Sequence, residues 1–114
     1  MLTFMLPSNP EKRHFGFCRI ENKLEEIQNQ INGYIQVIPL KDNLVMVVDE
    51  EGKIKNKQKN ELATTIFQYY VNTEDYIVGH ALLICTNEEE FEDFNVKEYY
   101  KEVMQILKDR YTWL

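Results

Sequence analysis

The chain has 114 residues, 44% hydrophobic and 28% charged, which fits one domain with a core of its own and excludes a disordered or low-complexity protein. A net charge of −6 removes the basic footprint that nucleic acid or an anionic membrane demands, so neither sequence-specific nucleic-acid binding nor membrane attachment is expected. The two cysteines, Cys18 and Cys85, sit in apolar runs without the spacing of a secreted disulfide framework and are read as buried free thiols in a reducing compartment.

Leu2 to Leu6 is an apolar run with no basic lead, too short for a signal peptide or membrane span, so a cytoplasmic protein is expected. Pro7 and Pro10 follow it, and because proline cannot donate to a ladder an edge strand is predicted, then a polar turn over Ser8 to Arg13. His14 to Ile20 predicts a half-buried strand, Phe15 and Phe17 on one parity, His14, Gly16 and Cys18 on the other. Asn22, with Glu25 three residues on, predicts a capped helix whose Leu24, Ile27 and Ile31 share a face and which Gly33 ends.

Gly33 to Gly52, GYIQVIPLKDNLVMVVDEEG, predicts the hairpin at the centre of the fold: Tyr34 to Leu40, a turn at Lys41-Asp42-Asn43, and Leu44 to Asp49. Both parities of LVMVV are apolar, so that strand should be covered on two faces. Asp49, Glu50 and Glu51 offer a carboxylate site but are read as a solvated strand-end turn, since the segment lacks the alternating oxygen ligands of a calcium loop. Asn60 then caps a helix with Leu62, Ile66 and Tyr69 on one face, ending near Tyr70 or Val71. Tyr76 to Thr86, YIVGHALLICT, predicts one long core strand. After an acidic run, Asn95 with Glu98 caps a last helix carrying Val96, Tyr99, Tyr100, Val103, Leu107 and Tyr111 on one side, with Trp113 and Leu114 docking the terminus. Five strands and three helices in this order predict a single α+β domain over 1–114, a mostly antiparallel sheet with helices packed on it.

The chemical signals are sparse. Ser8, the lone serine, lies in a proline-flanked turn, and no nucleophile elbow, phosphate loop or dinucleotide fingerprint is present. His14 and His80 lack the paired spacing of a zinc site. No catalytic set, metal or cofactor is therefore expected. Lys53, Lys55, Lys57 and Lys59 alternate through KIKNKQK and offer a surface for a phosphate-bearing ligand, against the plainer reading of a solvated loop. His80, after Gly79, marks a place where a ligand or another backbone comes close, or else a hydrogen-bonded strand histidine. Glu88, Glu89, Glu90, Glu92 and Asp93 suit a basic partner surface or simple solvation. Tyr99, Tyr100, Tyr111 and Trp113 offer more aromatic surface than one core face hides and point to a partner or subunit interface, including a homodimer.

Leu24 to Ile54 and Tyr76 to Ile84 resemble a family of phage, plasmid and mobile-element proteins, the domain of unknown function numbered 3846. The resemblance rests on Leu24 in the helix, Gly33 closing it, the hairpin, the corner Asp49-Glu50-Glu51-Gly52-Lys53 and the strand Ile77-Val78-Gly79. Asn32-Gly33 stands where the family has two glycines, the lysine tract and Asn60 replace its Pro-Asn element, and Glu88 to Leu114 falls outside the resemblant segment. What the resemblance implies is company with mobile elements, whose small accessory proteins counter host defence. The expectation is a non-catalytic binder of a host defence protein or of its nucleotide signal, the latter held by Lys53 and Lys55 at a dimer interface. Two alternatives stand beside it: a small enzyme on a nucleotide or nucleic acid, with His80 and an acid as its proton-transfer pair, and a structural interaction module.

Overall fold

The computed structural model describes residues 1–114. In chain order it has β1 (Leu2–Leu6), β2 (Gly16–Arg19), α1 (Leu24–Ile31), β3 (Ile35–Lys41), β4 (Leu44–Asp49), α2 (Glu61–Val71), β5 (Ala81–Asn87), β6 (Glu90–Glu92) and α3 (Val96–Arg110). All strand pairs are antiparallel, in the order β2-β1-β5-β4-β3, with β6 added to β5. The fold is α+β, as the element pattern predicts.

Alternation along the strands divides the interior in two. Phe4, Leu6, Leu44, Met46, Val48, Ala81, Leu83 and Cys85 face α2 and α3, while Met5, Val45, Val47, Leu82 and Ile84 face α1. The sheet is thus the middle of three layers, and β4 is buried at every position, as its doubly apolar pattern requires. Each fully buried Leu, Ile or Phe contributes about 1.5–3 kcal/mol by leaving water.

Several expectations change. The hairpin flanks the sheet instead of centring it: β5 is the middle strand, β4 is interior and β3 is an edge. β1 is interior, because its ladder to β5 ends at Leu6 and Pro7 lies just beyond, where a missing N–H costs nothing. The long strand predicted from Tyr76 starts only at Ala81. Before it, Val78 bridges Lys59, and Gly79, at φ +74°, redirects the chain. The acidic run forms the unpredicted β6: Cys85 pairs with Leu44 on one side and Glu92 on the other, so β6 extends the edge of β5 that β1 occupies.

The helices are set by their caps. Asn60 and Asn95 accept from the Ala63 and Glu98 amides, as predicted. In α1 the cap position is Lys23, not Asn22, and its side chain makes no capping hydrogen bond; Leu24 is 57% exposed. A helix of eight residues is marginal by itself, so Ile27 and Ile31, buried against the sheet, hold it. Asn32, not Gly33, takes the left-handed position, at φ 57°. Tyr69, expected on the core face of α2, is 62% exposed, and Phe67 is buried in its stead; on α3, Ile106 is buried and Val96, expected on the packed side, is exposed.

The β3 edge, seven residues long, is interrupted. Glu50 N–H donates to Tyr34 C=O at 2.9 Å, and alternation from there turns Gln36 and Ile38 toward β4 and Ile35, Val37 and Pro39 outward. Pro39 therefore costs the ladder nothing and interrupts the open side.

Candidate functional site

The corner after β4 is built around Asp49. It shares the parity of Val45 and Val47, so its side chain turns toward α1 and is buried. Lys57 Nζ lies 2.6 Å and Lys55 Nζ 2.9 Å from Asp49 Oδ2, and Glu51 N–H donates to Oδ1 at 2.9 Å. Lys57 also donates to the Ile31 and Asn32 carbonyls at 2.9 and 2.8 Å, placing a cation at the negative end of α1 and engaging all three of its protons. Burial pushes the Asp49 carboxyl up, but the hydrogen bonds from Lys57, Lys55 and Glu51 outweigh it and leave it below the usual carboxylate range. The hydrogen bond to Asp49 raises Lys55.

Two glycines make this possible. A Cβ on Gly33 would lie 2.3 Å from Asp49 Cγ, and one on Gly79 would lie 2.9 Å from Lys57 Cδ. Asp49 is not the solvated turn residue expected. Its parity was the available signal, since an acid continuing an apolar stripe needs a buried partner.

The other two lysines are also paired. Lys53 bridges Asp75 and lies 4.3 Å from the centre of the Tyr76 ring, and Lys59 is 3.6 Å from Glu61. Beside Lys53, a cavity of about 170 Å³ is lined by Gln36, Ile38, Ile54, Phe67 and Tyr76 among others, below the roughly 300–1,000 Å³ typical of small-molecule sites. The four lysines thus do not converge on one ligand: two seal the corner and two lie along an exposed loop.

His80 sits elsewhere, in a groove of about 220 Å³ with Ser8, Asn32, Lys57, Gln58 and Gly79. Its Nδ1 accepts from Ser8 N–H at 3.2 Å. Burial, then the charges of Arg13 and Lys57, push its pKa down. A wider hollow of about 650 Å³, sharing Ser8 and Gln58, continues to Trp113. Sequence reasoning found His80 and Trp113 but not Ser8, Asn32 or Gln58, which only the turn of chain at Gly79 brings together.

At the far end of β5, Glu88 and Glu89 form the turn into β6, Glu90 and Glu92 lie on β6, and Asp93 accepts from Leu2 N–H at 2.7 Å. An open hollow of about 750 Å³ there is lined by Met1, Leu2, Phe91, Glu92, Asp93 and Val96 among others. The aromatics of α3 divide. Tyr99 is buried and donates to Asn43 Oδ1 at 2.7 Å; Tyr100 is half-buried, 5.2 Å from Phe17 between ring centres; Tyr111 donates to Glu61 C=O at 3.0 Å. Trp113, 60% exposed, is the one left broadly open, while Leu114 packs on the core. Cys18 and Cys85 are free thiols, Cys85 buried and Cys18 half-buried. No helix is long and apolar enough to cross a membrane.

No curated protein and no solved structure matches the chain. One family model does, described as "Domain of unknown function (DUF3846)", over residues 3–105, which extends beyond the resemblant segment on both sides and takes in β1, β6 and most of α3. Of the residues that carried the resemblance, Gly33, Asp49 and Gly79 belong to the buried latch, and with the match spanning nearly the whole chain the protein belongs to the DUF3846 family.

Proposed function

We propose that the protein is a non-catalytic accessory protein of phage type that acts in the bacterial cytoplasm by occupying a protein of an anti-phage defence system. The observation that carries this reading is the acidic end of β5. There Glu92 and Asp93 line an open hollow beside Met1, Leu2, Phe91 and Val96, and Glu88, Glu89 and Glu90 carry the negative charge on along the adjoining turn and strand, an arrangement suited to the aliphatic stems and charged heads of lysine and arginine on a partner. Capture of a nucleotide signal is the second reading, favoured by the His80 groove. Against a small enzyme, His80 has no carboxylate partner and spends Nδ1 on Ser8.

The test is phage plating on cells carrying a defence system, with and without the protein, joined to capture of the defence component on the immobilised chain. Protection and a salt-sensitive capture are expected, both lost in a Glu89→Lys/Glu90→Lys variant, since the Debye length shrinks to about 3 Å at 1 M salt. Absence of protection across defended strains, or capture indifferent to the charge reversal, would overturn the proposal.

A further inference from the structure

We propose that the groove at the start of β5 binds a nucleoside monophosphate, with its phosphate among Ser8, Asn32, Gln58 and His80 and its base against Trp113. The proposal gives the nucleotide reading above a place, and as a statement about binding it does not depend on any role in defence.

The narrow part of the groove is lined only by Ser8, Asn32, Lys57, Gln58, Gly79 and His80, with no acid among them, in a chain of 19 acidic and 13 basic residues. Because His80 Nδ1 accepts from Ser8 N–H, the ring proton resides on Nε2, which is left as a donor. The Ser8 hydroxyl and the Asn32 and Gln58 carboxamides form no hydrogen bond within the protein, so they too are available to an oxyanion. Lys57 is spent on Asp49 and two carbonyls, yet its side chain lines the groove, and after burial its charge and that of Arg13 favour the neutral form of His80. Free donors beside a lysine, with no carboxylate among the residues that line the narrow part, are what a phosphate needs.

The wider part supplies the rest. It shares Ser8 and Gln58 with the narrow part, is lined further by Asn9, Pro10 and Glu11, and ends at the exposed indole. Stacking a base on an exposed aromatic contributes about 1–3 kcal/mol. Glu11 is the one acid lining the wider part, and ribose hydroxyls can donate to it. Together the two parts, about 220 and 650 Å³, have room for a mononucleotide.

Trp113 is the only tryptophan, so its fluorescence reports the stacking directly. Titrating the full chain with adenosine 5′-monophosphate should quench that emission saturably, with at least tenfold weaker binding for adenosine and for ribose 5-phosphate. Gln58→Ala, an exposed position whose variant should keep the wild-type circular dichroism, should cost the monophosphate about tenfold and leave adenosine unchanged. Trp113→Ala, followed by calorimetry, should reduce the monophosphate to the level of ribose 5-phosphate. No saturable signal at millimolar monophosphate, or equal affinity for adenosine and its monophosphate, would sink the proposal. Ligand recovered unchanged after denaturation is expected; a breakdown product would confirm the site while overturning the non-catalytic reading of the protein.

Discussion

Asp49 is a buried acid with two ammonium partners, and burying it is favourable only while those partners stay. Asp49→Asn should lower unfolding free energy by about 2–4 kcal/mol in urea, because it leaves Lys57 without its counter-charge in a half-buried place. Gly33→Ala should cost a similar amount, about 3 kcal/mol, since its methyl would occupy the space of the Asp49 carboxylate. The same residues set a pH dependence. Both Asp49 and His80 have folded pKa values below their ordinary ones, so each binds protons more readily when unfolded. Their contributions are complete above the unfolded values, about 6.5 for histidine and about 4 for aspartate, and fade as pH falls through the folded ones. Thermal melts should lose stability below about pH 6.5 and again below about pH 4; His80→Gln should remove the first loss and Asp49→Asn should shrink the second.

Among the elements, α2 has the most informative start. Asn60 is wholly buried, accepts from Ala63 N–H, and donates through Nδ2 to the Leu6 and Gly79 carbonyls, both at 2.7 Å. One carboxamide thus joins the end of β1, the approach to β5 and the first turn of α2. Asn60→Ala should destabilise the protein by about 3 kcal/mol, a lost cap plus orphaned buried carbonyls, and Asn60→Ser should recover only the cap, about 1 kcal/mol, by chemical melts. The sequence announced the cap but not the other two bonds, because capping is local and the carbonyls come from 54 and 19 residues away. The same limit explains β6: glutamates are poor strand formers, and only pairing with β5 makes Glu90 to Glu92 extended. It also explains the lysines, whose alternation is visible but whose pairing with Asp49 depends on how Gly52 to Asn56 turns back, seen in Lys57 N–H donating to Gly52 C=O at 3.0 Å.

At the scale of the whole molecule, composition and alternation were enough for the class, the single sheet and the burial of β4, since each follows from the period of apolar residues. Strand order was not legible, because it depends on which apolar strands meet across the chain: Phe4 with Leu83 and Met46 with Leu83 make β5 the middle. The proline that mattered to an edge was Pro39, not Pro7. Pro39→Val should restore an outward N–H on β3 and lengthen the open edge, shifting size-exclusion elution toward larger species as concentration rises.

The latch at Asp49 also has a kinetic meaning. Its bonds gather α1's end, β4 and the lysine loop, with Lys57 packed against Gly79 and reaching a carbonyl 26 residues back, and contacts so distant in sequence are expected to close late, after the hairpin has docked on α1. Interactions absent from the transition state act on the unfolding arm alone. In a chevron, Asp49→Asn should therefore accelerate unfolding and leave refolding nearly unchanged, which would make this corner the element that sets how long a folded molecule persists.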